Sequence, residues 1–318
     1  MKIGPFKIKR VHEFLIERLI QVTAWTSIVT IVLIFLFVGK ESIPLFTHPE
    51  VKQEANMSKL FVPQQYSPDK PPKSVWQPVS TVPKYSLYPL MVGTLKATLI
   101  AILFSVPIAI AAALYTAEFA SSRAREIIKP TIELLASVPS VVIGFFALIV
   151  LASILQTVFN LDYRLNGINA GIALGLAIIP VIYTISEDAL ISVPRTYKEA
   201  SLALGATPWQ TAFKVVLPAA FPGIAAAVIL GFGRAFGETM IVLMASGNAA
   251  IGNWDFTESL RTLSATIATE LAEVVHGSAH YHVLFFIGVF LFAITFGINF
   301  LGSLFIARFK SKLSGARS

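Results

Sequence analysis

KEASLALGATPWQTAFKVVLP, residues 198–218, is a compact polar island between two long apolar stretches, and the rest of the chain is read outward from it. The residues spell helix, sharp turn, helix. Thr196 and Glu199 stand at the T-x-x-E spacing of a capping box, in which each side chain satisfies a free amide at a helix start. Gly205 falls where the first helix must end, since glycine takes the left-handed cap conformation at little steric cost. Thr207 is placed to cap a second helix, with Pro208 at its first position, where the missing N–H is not needed. Pro218 closes the unit at the start of the next apolar stretch. Such a pair, stiffly joined to a spanning helix, is a mechanical handle for a cytoplasmic partner. An inert loop and a DNA-reading helix-turn-helix are the alternatives, and tethering to membrane spans on both sides argues against the second.

Composition puts the chain in a membrane. Of its 318 residues 55% are hydrophobic and only 14% charged, and its mean hydropathy is +0.72, whereas a soluble domain carries about 25% charged residues. Crossing the hydrocarbon takes about 20 apolar residues as helix, the form that satisfies backbone polar groups without water. Six such spans are read at 18–39, 90–116, 134–158, 168–192, 218–245 and 281–306, giving an all-α membrane protein. With the N-terminus inside, fifteen Lys and Arg near span ends lie on the inner side against eight outside, so both termini and the 198–218 island are cytoplasmic. Anionic inner-leaflet lipid then accounts for the net charge of +7, with no nucleic acid required. The first apolar run is long for a signal peptide and no A-x-A-like site follows it, so it is read as a retained helix. With no cysteine, disulfides and thiolate metal sites are excluded.

Nine of the 18 prolines fall in 40–89, which is expected to lie as an extended outer loop, either disordered or a docking surface for an external protein. A second outer segment, 246–280, contains ESLRTLSATIATELAEVV (258–275), rich in helix formers and expected to lie against the outer mouth.

The fifth span carries GFGRAFGETM, residues 231–240. In a continuous helix Arg234 and Glu238 sit one turn apart about midway along the span, pointing about 40° from each other. Each charge costs about 2.5–3.5 kcal/mol at the bilayer centre, so they pair, face a polar cavity, or both. Gly233 and Gly237 beside them allow close packing of a neighbouring helix. In one reading the two charges merely neutralise each other. In the other, Arg234 faces a translocation path and holds an anion through its planar fork of donors, while Glu238 competes for it and prevents binding too tight for release. Ser140, after Pro139, and Thr239 are weaker candidates for the path. Lys96 is expected to snorkel at the outer end of the second span. Glu187 and Asp188 are expected to contact water or the handle. His276, His280 and His282 either bind metal or are simply solvated, and no metal site is assigned to them. No G-x-x-x-x-G-K-[ST] occurs, so the chain contains no Walker A site.

The island also resembles the coupling loop of bacterial ABC-importer permeases: Glu199-Ala200-Ser201, then Gly205, Val215 and Leu217-Pro218, with serine for the second alanine. Together with YPLMVGTLKATL (88–99), IELLASVPSVVIGF (132–145), GRAFGETMIVLMASGN (233–248) and ATELAE (268–273), the chain resembles the phosphate-importer permeases of the Pst system, PstC type, over most of 85–310. The resemblance implies the ABC importer type I permease fold, with a cytoplasmic segment at 1–17, a first span at 18–39, a periplasmic loop at 40–89, a permease core at 90–310 with its coupling loop at 193–217, and a tail at 311–318. It implies a bacterial inner-membrane subunit that is not an enzyme, paired with a PstA-like permease, two PstB-like ATPases carrying ATP and Mg, and a PstS-like periplasmic phosphate-binding protein. It assigns Arg234 and Glu238 to phosphate passage and Glu199, Ala200, Gly205, Leu217 and Pro218 to ATPase coupling. A permease for molybdate or sulfate, or an anion channel or scaffold without ATP, are the other readings.

Overall fold

The computed structural model describes residues 5–66 and 71–315. The ends of the N-terminal segment and tail, with Pro68 and Lys70, lie outside the described residues, as do the side chains of Lys7, Lys9, Arg10, Lys310 and Lys312. Among the described residues, six helical stretches are long and apolar enough to cross a membrane, at residues 16–47, 88–119, 140–159, 167–191, 208–237 and 279–308. The first belongs to α1 (Pro5–Ser42), which packs along α15 (Ala279–Gly315) through ring pairs such as Phe35–Phe292, 4.2 Å between centroids.

The centre of the bundle is α5 (Tyr88–Leu114) against α9 (Gly167–Ile191). Buried alanines line the contact, Ala97 and Ala101 from α5 and Ala170, Ala173 and Ala177 from α9, so the two backbones approach closely. Asn166 caps α9 by accepting the Asn169 N–H at 2.9 Å, and the Asn169 amide donates to the Ala245 carbonyl at 2.8 Å. The Asn169 Nδ2 donor tethers the end of the fifth span, while its Oδ1 is buried with no partner among the described residues.

The third span begins later than its apolar pattern suggested. Residues Ser122–Ser137 form a separate helix, α6, with no buried residue, and the membrane helix starts at Ser140 rather than 134. Pro139 biases Val138 to an extended conformation (ψ 125°), while Arg123, Arg125, Glu126, Lys129 and Glu133 hold α6 at the surface. From there α7 (Ser140–Phe146) passes through a wide π turn into α8 (Ala152–Phe159).

The 40–89 stretch is a folded cap, not an extended loop. Short helices α2 (Pro44–Thr47), α3 (Pro49–Glu54) and α4 (Met57–Phe61) precede a two-stranded ribbon, β1 (Trp76–Gln77) paired antiparallel with β2 (Lys84–Tyr85). Pro44 and Pro49 open their helices, where a missing N–H is harmless. Leu45, Val51, Leu60, Trp76, Tyr85 and Leu87 are buried against Leu263 and against Val283, Leu284 and Ile287 of α15. Burial of each large apolar side chain contributes about 1.5–3 kcal/mol, which explains an ordered cap despite the prolines. The Tyr85 hydroxyl donates to Glu54 Oε1 at 2.6 Å; burial, reinforced by that carboxylate, pushes the phenol well above its ordinary range. The helix expected over 258–275 is confined to α14 (Leu263–Glu270), capped by Thr262.

Candidate functional site

The fifth span is broken. Helix α12 (Leu217–Gly237) stops at Gly237, Glu238 is extended (φ −67°, ψ 135°), and α13 (Met240–Ala245) begins after Thr239. The continuous helix expected through Arg234 and Glu238 is therefore absent, and Arg234 lies in the last turn of α12 rather than midway along a helix. Glu238 turns the other way: its Oε1 accepts the N–H groups of Thr239 (3.1 Å) and Met240 (3.2 Å), satisfying donors at the start of α13. A carboxylate is favoured there by the helix dipole, as a guanidinium is at the end of α12. Among the described residues no ion pair joins Arg234 to Glu238, and the Arg234 guanidinium makes no hydrogen bond. It is exposed on the single chain, with all five donors available to an oxyanion.

Of the two glycines beside it, Gly233 abuts Asn299 of α15, so that an added Cβ would stand 3.2 Å from the amide, while Gly237 faces open space. Thr239 lies in the break and is half-buried. Ser140 opens α7, whose Gly144 abuts Met240 and Ile241 one turn later; no hydrogen bond joins Ser140 to Arg234, Glu238 or Thr239 among the described residues. The carbonyl of Glu238 accepts the Ser264 hydroxyl of α14 at 2.8 Å. Ser264 had no signal in the sequence beyond a place in a polar outer segment.

Between the fourth and fifth spans, α10 (Arg195–Ala203) leads to Gly205 at φ +85°, the left-handed conformation expected of it. Helix α11 (Pro208–Thr211) then starts with a capping box between Thr207 and Gln210, at 3.2 and 2.9 Å. The box expected at Thr196 and Glu199 does not form: Pro194 is the N-cap of α10, so Thr196 is already inside the helix. A π turn (Ala212–Val216) carries α11 into α12, which begins with Leu217 and Pro218. Glu199, Ala200 and Gly205 are exposed, and Leu204 is 90% exposed.

One ion pair lashes this handle to the bundle, and α6 is held to the same end of the bundle by further polar contacts. Lys198 meets Glu118 at 2.6 Å, at the C-terminal end of the second span. Arg125 donates to the Thr116 and Ala117 carbonyls, and Lys129 meets Glu187 at 2.9 Å and Asp188 at 3.5 Å. Asp188 is exposed to water as expected, whereas Glu187 is fully buried and meets neither water nor the handle; its carboxylate beside Lys129 raises that ammonium above its ordinary range. Lys96 does not snorkel: it is fully buried and its ammonium donates to the carbonyls of Asn253 (3.2 Å) and Asp255. The histidines are not solvated together. His280 meets Glu270 at 2.9 Å, His282 meets the Glu41 carbonyl at 2.7 Å, and His276 packs on Tyr281.

Six candidate spans among the described residues, a broken helix bearing an exposed cation and a helical handle between two spans define a multi-pass membrane permease subunit. The chain belongs to the family of binding-protein-dependent transport system inner membrane components, whose model matches residues 105–315. It is 37% identical over 222 residues to the probable ABC transporter permease protein YqgH of Bacillus subtilis, covering 70% of this chain and 72% of that one. It is 35% identical to the phosphate transport system permease protein PstC of Mesorhizobium japonicum, again covering 70% and 72%. The PstC of Pasteurella multocida is 31% identical, with 74% and 79% covered. The fold matches the bacterial ABC transporter involved in import of the acidic polysaccharide alginate, at a TM-score of 0.60 and 15% identity, over 94% of this chain and 99% of that one. The inward-facing MetNI methionine transporter matches at 0.52 and 21%, over 68% and 92%. The family consists of transport components, and this chain has the ABC importer permease fold.

Proposed function

We propose that the chain is one half of the translocation path of an ATP-driven inorganic phosphate importer of the bacterial inner membrane, with both termini cytoplasmic. It pairs with a PstA-like permease, its handle docks on one of two PstB-like ATPases that carry ATP and Mg, and a PstS-like binding protein delivers phosphate from outside. The observation that carries this reading is the exposed, unpaired Arg234 guanidinium at the break in α12, on a chain whose relatives include PstC permeases. A planar fork of donors suits a tetrahedral oxyanion. Glu238, committed to the start of α13, supplies a neighbouring negative field that opposes overly tight binding without neutralising Arg234 outright. Thr239 and Ser140 lie along the same path. Glu199, Ala200 and Gly205 present the handle, and Leu217 and Pro218 join it to α12.

The test is ATP-dependent uptake of labelled phosphate into proteoliposomes holding the complete complex. Arg234→Gln is expected to lower uptake at least about tenfold, the scale of one lost charge-assisted hydrogen bond, with the complex still assembled. Equal uptake in both would remove the anion role from Arg234. Uptake of sulfate or molybdate in place of phosphate would keep the transport reading and change the substrate.

A further inference from the structure

Glu270 closes α14 within ATELAE, a motif that the anion path and the handle leave unused. Its carboxylate gathers three separate parts of the outer face. Trp76 Nε1 of the cap donates to Oε1 at 3.0 Å and to Oε2 at 3.3 Å. Arg261 Nη1 donates to Oε1 at 2.6 Å, while Arg261 Nε holds the Asn248 carbonyl at 3.0 Å. His280 Nε2 of α15 meets Oε2 at 2.9 Å, its ring set against those of Trp76 and Tyr85. The carboxylate is 17% exposed, Arg261 21% and His280 13%, so the cluster is largely withdrawn from water. In such surroundings loss of one partner leaves the others poorly compensated, and the group moves together or not at all.

The opposite end of α14 meets the broken span. Ser264 Oγ donates to the Glu238 carbonyl at 2.8 Å, the Leu263 N–H donates to Thr94 Oγ1 at 3.1 Å, and the Leu263 side chain is buried in the cap core. An eight-residue helix is about 12 Å long, short enough to move as one body. The orientation of the Glu238 peptide decides where its carboxylate points, and Ser264 holds that peptide.

The geometry points to Glu270 as a positioning residue that ties the outer cap, through α14 and Ser264, to the break at Glu238, so that a binding protein seated on the cap sets the geometry of the anion path. The inference rests on the reading of that break as the path. Trp76 and Ser264 are the outer and inner terminals of the tie, and neither touches the transported anion.

The measurement is the ratio of ATPase activity with and without phosphate-loaded binding protein, in the complete complex in nanodiscs. Trp76→Phe removes one donor and keeps the ring; Ser264→Ala removes the other terminal; Glu270→Gln keeps shape and loses charge. Each is expected to lower the ratio about fivefold or more, the range of a coupling between sites, with basal ATPase and assembly unchanged. Trp76→Phe and Ser264→Ala combined are expected to do little more than either alone, because they interrupt one connection. An undiminished ratio in all three variants overturns the tie, and so does a parallel fall in basal ATPase, which marks a brace rather than a connection. A wild-type complex stimulated only by a binding protein loaded with another oxyanion overturns the phosphate reading alone, and the variants are then compared with that ligand.

Discussion

Two cations within the spans have opposite fates, and the difference lies in what each can reach. Lys96 is buried where two backbone carbonyls, of Asn253 and Asp255, stand within reach of its ammonium. Arg234, in the last turn of α12, has no protein acceptor among the described residues. The first cation is structural and the second is available. Lys96→Met keeps the stem and removes the donors, leaving two carbonyls unsatisfied, a loss of about 1–3 kcal/mol. A fall of several degrees in the melting temperature of the detergent-solubilised protein is expected; an unchanged melting temperature would show that the 253–255 loop is held by other contacts. The sequence marked both residues as costly, since a charge within an apolar run stands out. It did not reveal that Glu238 turns away from Arg234, because that depends on a helix end at Gly237 that no proline announces.

At the scale of elements, the handle was the most legible part of the chain. Gly205, Thr207 and Pro208 behave as local rules require, because turn and cap chemistry is decided within a few residues. The misassigned capping box is instructive in the same terms. Thr196 and Thr207 each precede a Glu or Gln by three residues, yet Pro194 starts α10 two residues before Thr196 and denies it the cap position. Gly205→Val would place a branched side chain at φ +85°, a strain of about 1–2 kcal/mol, although open space surrounds the position. On the proposed function, the expected outcome is reduced phosphate uptake with folding preserved, read as uptake per assembled complex. Full uptake and full ATPase in this variant would show that the handle tolerates a different turn.

Across the whole molecule, the six spans were legible because an apolar run of about 20 residues is unmistakable. The cap was not. Its buried residues are scattered between prolines from Leu45 to Leu87, and they are covered by α14 and α15, nearly two hundred residues later. No local pattern encodes a partner that distant. Orientation is open to direct measurement, since a chain without cysteine gives no labelling background. Leu204→Cys, on the handle, is expected to react with a membrane-impermeant maleimide only in inside-out vesicles, and Val79→Cys, 85% exposed on the cap, only in intact spheroplasts. The reverse pattern would invert the whole topology.

The uninterrupted passage from α11 through the π turn into α12 has a mechanical consequence. Residues Pro208–Gly237 form one helical stretch of 30 residues, a rod about 45 Å long at 1.5 Å per residue. Pivoted near one end, such a rod multiplies angle into displacement: a tilt of about 10° carries the far end through about 8 Å. A tetrahedral oxyanion is only a few ångströms across, so, on the function proposed for Arg234, a modest swing at the Pro208 end suffices to open or shut a passage of that width.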